Sequence, residues 1–312
     1  MPNLQKLFSL RFRWTAALLL FCAALIFLSQ AVVSAQEQRK KKDTPAITAA
    51  APPALKRTTS RHEVRRFPYG SSLTIIGAPA GSITIEAWPK SEVEINADIE
   101  LLANSEEDLA LLATVNGFTI DEDANHLRIL TTGTHDKTFM RRVAKKFPKT
   151  LLNLPWKIDY RIRVPANCDL EIDAGRGAFN LSGVEGLISL KALESDATLE
   201  LTGGAVLATI GGGSVKVNLA TRSWRGSGAS IQLAVGELTV FLPAGFNADI
   251  NAEILRSGQI ENSYAELVPQ ERTTFTTRSL SGRAGSGGAS LSFTVTDGTL
   301  RIKKAETVNK EP

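Results

Sequence analysis

The chain has 312 residues, with 36 Lys or Arg against 32 Asp or Glu and a formal charge of +4. The surplus sits at the front. Setting aside residues 1–67 leaves 24 basic and 29 acidic residues in 68–312, a net −5, which argues against a nucleic-acid partner. Two cysteines, Cys22 and Cys168, exclude a disulfide framework.

Residues 1–35 read as a secretory signal. Lys6, Arg11 and Arg13 stand without an acid before an apolar run from Thr15 to Leu28, and Val33-Ser34-Ala35 supplies small residues for cleavage before Gln36. The run is nearer to signal length than to the roughly 20 residues of a membrane span. Counting through Val33 gives the alternative, an inner-membrane anchor over residues 14–35. Phe21 before Cys22 argues against lipidation. Cys168 is then the one cysteine of the mature chain and reads as a small buried apolar residue.

Residues 36–67 carry nine Lys or Arg and an Ala/Pro-rich stretch, Pro45 to Pro53, with few large apolar residues. Such text cannot bury enough surface to offset its ordering entropy, so the reading is a disordered basic linker. Membrane contact is expected only through this linker or through an uncleaved N-terminal segment.

Residues 68–305 show short alternating runs opened by glycine, as in Gly81-Ser-Ile-Thr-Ile-Glu86, Gly177-Ala-Phe-Asn-Leu181, Gly213-Ser-Val-Lys-Val217, Gly236-Glu-Leu-Thr-Val240 and Gly298-Thr-Leu-Arg-Ile302. Alternation sends every second side chain to one face. A strand this short cannot bury its own apolar face, whereas stacked copies bury a shared one. The expected fold is therefore all-β, a right-handed parallel β-helix or β-solenoid-like repeat domain with one or two short helices. An antiparallel β-sandwich is the alternative. It is disfavoured because hairpin dipeptides are few, Asn116-Gly117 and Asp297-Gly298. Ser105 followed by Glu106, Glu107 and Asp108 predicts a capped helix. Lys137–Leu152, with Phe139, Val143 and Phe147 among Arg141, Arg142, Lys145, Lys146 and Lys149, predicts a basic amphipathic helix ending before Pro148. Its charges either meet a membrane surface or stand in water over a packed face, and the second reading is preferred. Residues 306–312 read as a disordered tail.

Several passages resemble a bacterial family, the putative-adhesin family of adhesin-like β-repeat domains of uncharacterised function. Gly81-Ser-Ile-Thr-Ile-Glu-Ala-Trp88 with Val93-Glu-Ile95 resembles its opening. Arg163-Val-Pro165 through Gly175-Arg-Gly177, and Leu181-Ser-Gly183-Val-Glu-Gly186, resemble its middle. Leu242-Pro243-Ala-Gly245 and Ser286 to Ile302 resemble its close. The resemblance spans about residues 70–303 and departs at 137–152 and 219–227. It implies a right-handed β-helix-like fold and an envelope location, and it supplies no catalytic residues.

The search for chemistry returns no catalytic, cofactor-binding or metal residues. His62, His126 and His135 share no metal-ligand spacing. His135-Asp136 reads as a surface pair, and no nucleophile elbow or phosphate loop is present. Asp169, Glu171 and Asp173 alternate along one strand face. A hydrolytic site there would need further acids from neighbouring strands. Trp88, Trp156 and Trp224 read as packing caps. The expectation is an exported, non-enzymatic cell-envelope protein, periplasmic, cell-surface or secreted, that binds or scaffolds an envelope or extracellular protein or glycan surface and needs no cofactor. A glycan-active β-helix enzyme and a sensory module of an envelope-stress system are the alternatives.

Overall fold

The structure, a computed structural model, describes residues 55–77, 80–144, 146–270 and 273–305. The expected signal and its cut site, the linker up to residue 54 and the tail at 306–312 lie outside the described residues.

In chain order the elements are β1 (Leu55–Arg66), β2 (Ser72–Ile76), β3 (Ile83–Trp88), β4 (Glu92–Ala103), α1 (Glu106–Val115), β5 (Gly117–Glu122), β6 (His126–Thr132), α2 (Lys137–Val143), β7 (Trp156–Pro165), β8 (Asp169–Arg176) and β9 (Phe179–Ser182). They continue with β10 (Leu187–Glu194), β11 (Ala197–Leu201), β12 (Gly203–Leu219), β13 (Arg225–Leu242), β14 (Ala248–Asn262), β15 (Leu267–Pro269), β16 (Ser279–Ala284) and β17 (Ser290–Lys304).

The strands form a large, curled, mixed sheet, and the parallel pairings fall into two series. One runs β6-β2-β8-β10-β12-β13-β17-β14. The other runs β7-β3-β9-β11-β12-β13-β17-β14. The long strands β12, β13, β14 and β17 belong to both, their first halves to one and their second halves to the other. Antiparallel strands finish the series: β5 on β6, β4 on β7 with β1 beyond it, and β16 on β14 with β15 beyond it. The expected parallel stack is thus present in the middle and does not describe the whole sheet. An open parallel edge offers unpaired N–H and C=O groups, and the antiparallel end strands cover them. Neither expected hairpin dipeptide makes a hairpin: Asn116 caps the end of α1, and Asp297-Gly298 lies within β17.

Alternation produces the core. In the first series Ile75, Ile172, Leu190, Ala208, Ile231, Phe293 and Ala252 stand side by side in one inward row. In the second, Ile85, Leu181, Leu199, Val217, Val240 and Ile302 form another. All are buried, and they belong to one continuous apolar cluster. Each fully buried aliphatic side chain contributes about 1.5–3 kcal/mol.

Between the two rows runs a line of close backbone contacts. Gly177 (φ +135°) and Gly236 (φ +137°) hold a conformation that L side chains rarely adopt. A Cβ on Gly177 would strike the Gly81 carbonyl, and one on Gly236 the Gly213 carbonyl. The line continues from Gly236 to Gly298 and on to Gly258. Ser195 stands in it between Gly213 and Gly177, and its hydroxyl donates to the Gly177 carbonyl at 2.7 Å.

Two expectations need correction. Residues 55–66, read as part of a disordered linker, form β1, which pairs along its whole length with β4 from Leu55↔Ala103 to Arg66↔Glu92. The strand needs little apolar burial of its own because β4 supplies a complete backbone ladder. Its charges are met locally: Lys56 pairs with Glu100 (2.7 Å), Arg57 with Glu106 (2.6 Å), and the Arg61 guanidinium lies over the Phe118 ring at 4.2 Å. The basic helix expected over 137–152 is broken. α2 stops at Val143, and a single 3-10 turn follows at Lys149–Leu151. The predicted stripe does not form either, since Met140 is buried while Val143 is 52% exposed. Helix α1 forms as expected, with the Ser105 side chain accepting from the Asp108 N–H at 3.1 Å.

The glycine line makes a direct prediction. Gly177→Ala or Gly236→Ala should lower stability in urea unfolding by about 3 kcal/mol or more, combining strain with a backbone clash. Gly245→Ala, with φ +68° and open space around it, should cost only about 1–2 kcal/mol. Equal losses at the three positions would contradict the role of close approach.

A second prediction concerns Asp297, which accepts from Arg256 Nε (2.8 Å) and Ser257 Oγ (2.7 Å). The Arg256 guanidinium, helped by Ser257, lowers its carboxyl to about 2. The folded value lies below the unfolded one, so the stabilisation is complete above about pH 4 and is lost as the pH falls towards 2. Asp297→Asn should flatten that acid limb of Tm against pH, and an unchanged limb would refute the assignment.

Candidate functional site

The acidic row singled out in the sequence lies on the outer face of β8, with Asp169, Glu171 and Asp173 all exposed. Asp169 is flanked by Ser72 and Leu187, Glu171 by Thr74 and Ser189, and Asp173 by Ile76 and Lys191. Neither adjacent strand brings a second acid into register. Asp169 accepts the Leu187 N–H at 2.8 Å, and Glu171 accepts from Thr74 Oγ1 at 3.4 Å. The row therefore lacks the opposed carboxylates that a two-acid hydrolytic site requires. Among the described residues no group of three His, Cys, Asp or Glu is placed to hold a metal ion.

The other singled-out residues are structural. Trp156 and Trp224 are buried, and Trp224 Nε1 donates to the Gly204 carbonyl at 3.0 Å. Trp88 Nε1 donates to the Glu92 carbonyl at 2.7 Å. His126 Nε2 meets Thr74 Oγ1 at 2.8 Å, and His62 Nδ1 meets Asn96 Oδ1 at 2.7 Å. Asp136 caps α2 by accepting the Thr138 and Phe139 N–H groups, and those bonds hold its carboxyl below the ordinary range. Cys168 is buried, and burial, reinforced by the neighbouring Asp169 charge, pushes its thiol up to about 12.

The geometry draws attention instead to the outer face of the second strand series. Arg161, Thr84, Asn180, Thr198 and Lys216 stand in register on β7, β3, β9, β11 and β12. Arg161, Asn180 and Lys216 are exposed, and the two threonines are half-buried. None of the five has a side-chain hydrogen bond or ion pair with another described residue. Strand spacing places them about 4.8 Å apart, so the row is about 19 Å long.

At the Arg161 end the row enters a cleft of about 350 Å³ lined by Ser60, His62, Asn96, Asp98 and Arg163, among others. There Ser60 Oγ donates to Asp98 at 2.6 Å, and Arg163 Nη1 donates to Glu94 at 3.1 Å. In the flanking rows carboxylates stand among neutral residues. One carries Glu86, Ser182, Glu200 and Asn218, the other Asp159, Ser82, Asp196 and Ser214.

The sequence reading missed this row. The signal was nonetheless present: Thr84, Asn180 and Lys216 each lie three residues after a corner glycine (Gly81, Gly177, Gly213), and Thr198 lies three after Ser195. Arg161 has no such marker, because the residue three before it, which meets Gly81 on the corner line, is Ile158 and not glycine.

No family model matches this chain, and no curated protein matches it. Among solved structures, a putative cell adhesion protein from Clostridium sporogenes ATCC 15579 is similar at 16% identity and a TM-score of 0.34, over 79% of this chain and 100% of the other. A putative adhesin from Bacteroides fragilis NCTC 9343 is similar at 13% identity and a TM-score of 0.33, over 82% of this chain and 100% of the other. At such low similarity, function has to be read from this chain's own surface. No helix among the described residues is long and apolar enough to cross a membrane.

The buried thiol gives a test of this region. Cys168 should resist an aromatic disulfide reagent at pH 8 in the native state and react fully in denaturant. Rapid native labelling would mean that the strand start at 168 opens readily.

Proposed function

We propose that this chain is an exported, non-enzymatic envelope protein that binds a hydroxyl-rich polymer, a surface glycan, through the outer face of its second strand series. The observation that carries this is the unpartnered row Arg161–Thr84–Asn180–Thr198–Lys216. Five polar groups at one regular spacing suit a ligand that itself repeats, and none has to break an internal bond to engage it. Hydroxyl donors and acceptors fit Thr and Asn, while the carboxylates of the flanking rows, Glu86, Glu200, Asp159 and Asp196, oppose a polyanion. The cleft at the Arg161 end offers a place for a chain terminus or branch.

The architecture supporting this surface is read as a β-solenoid whose ends are closed by antiparallel strands. Eleven parallel ladders and the stacked inward rows support that reading. The N-terminal sequence supports export: a basic start, an apolar run and small residues before Gln36. The adhesin resemblance of the sequence points the same way. The isolated acidic row on β8 supports the non-enzymatic reading, because acid and base roles require two carboxylates across one bond.

The test is binding of the purified chain to isolated envelope polysaccharide and to whole cells. The combined variant Asn180→Ala, Thr198→Ala, Lys216→Ala should bind at least about tenfold more weakly, a loss of a few hydrogen bonds, with Tm unchanged. Glu171→Ala, on the other strand series, should bind normally. Equal binding by the triple variant, or turnover of the polysaccharide that disappears in Asp169→Ala or Asp173→Ala, would overturn the proposal.

A further inference from the structure

A second concavity lies away from the polar row, between α2 and the segment leading into β7. It encloses about 1020 Å³, at the upper end of the range for small-molecule sites. Its walls are sharply divided in character. Met140 and Trp156, both largely buried, join Leu152, Leu154 and Pro155 in an apolar floor. The rim is cationic, made by Lys137, Arg141 and Arg176.

The charge is unbalanced. Among the described residues no Asp or Glu lines the cavity. Glu194 pairs with the rim Arg176 at 3.1 Å, and Asp136, next to Lys137, holds the first N–H groups of α2. Lys137 and Arg141 have no partner among the described residues. They sit four residues apart on α2, hence on the same helix face one turn apart. The His135 imidazole is biased towards its neutral form. Its ring lies against Trp156, with centroids 5.4 Å apart, and burial pushes its pKa below the ordinary value despite the opposing Asp136.

An apolar trough with two uncompensated cations at its lip is complementary to one kind of molecule. The trough favours an alkyl chain, at about 0.8 kcal/mol for each CH₂ removed from water. The lip favours an anionic head through charge-assisted hydrogen bonds. A free phosphate would use only the lip, and a neutral alcohol only the trough. A flat membrane surface would be met by a face of the protein and would not fill a concavity. We infer that this groove binds one monomeric, single-chain anionic amphiphile, with its chain along Met140, Leu154 and Trp156 and its head between Lys137 and Arg141.

This site is independent of the glycan reading and uses none of its residues. The combination was hidden in the sequence because the basic stretch reads as one long helix. The break after Val143 turns the chain back and brings Leu152 to Trp156 opposite Met140.

The experiment is calorimetric titration of the full chain with dodecyl phosphate below its micelle concentration. Saturable one-to-one binding is expected. Inorganic phosphate and dodecanol should each bind at least about a hundredfold more weakly, since each lacks half of the complementarity. Lys137→Glu with Arg141→Glu should weaken dodecyl phosphate by at least about tenfold with Tm unchanged, and Thr198→Ala should leave it unaltered. No saturable binding would overturn the inference. So would full affinity in the doubly charge-reversed variant, equal affinity for inorganic phosphate, or association only with phosphatidylglycerol vesicles. If the charge-reversed pair fails to fold, Lys137→Gln with Arg141→Gln replaces it under the same criteria.

Discussion

Everything in this domain depends on how closely adjacent backbones approach at the corner where the two strand series meet. Each strand must keep its full ladder of N–H to C=O bonds while the chain turns from one series into the other. At Gly177 and Gly236 that turn leaves no room for a Cβ, because the next carbonyl already occupies the space. The corner therefore fixes the register of the stack. The inward rows around Ile172, Leu190 and Ile231, and those around Leu181, Leu199 and Val217, align because the corners do. Ser195 shows the same constraint met differently, with its buried hydroxyl bonded to the Gly177 carbonyl.

A stack needs ends, and the two ends are built from different chemistry. At the start, β1 lies antiparallel on β4 and carries mostly charged and polar residues, with Arg61 folded over Phe118. Charge on an edge strand discourages pairing with another chain. At the other end, β16 and β15 cover β14, and Tyr264 is buried with its hydroxyl donating to the Pro243 carbonyl at 2.8 Å. Surface ion pairs such as Arg301 between Glu237 and Glu261 tie neighbouring strands. Exposed pairs of this kind contribute little individually, so the core rows and the ladders dominate stability.

Because every inward position is committed to packing, recognition is left to the outside. The outer surface is not uniform. The β8 side presents isolated acids among Ser, Thr and apolar neighbours, whereas the β3–β9–β11 side presents an unengaged polar row. The groove under α2 differs again, with an apolar floor and a cationic lip. One scaffold thus carries a periodic polar surface on one side and, under α2, a concavity of divided character.

The amino-acid sequence alone determined the all-β class, the alternation, the corner glycines and the capped helix α1, because these are local consequences of side-chain period and backbone freedom. It also marked Cys168 as buried and the tryptophans as packing groups. What only the tertiary structure decided is which strand lies beside which. Residues 55–66 read as linker because their side chains bury little, yet β4 supplies a ladder that composition does not reveal. The groove under α2 exists because Leu152 to Trp156, distant from Met140 in the chain, line the same concavity with it. Likewise Arg161, Thr84, Asn180, Thr198 and Lys216 are ordinary polar residues in five separate strands. They become a row only when long-range hydrogen bonds bring the stacked backbones into register, and its one trace in the chain is the offset of three residues from Gly81, Gly177, Ser195 or Gly213 that four of the five share.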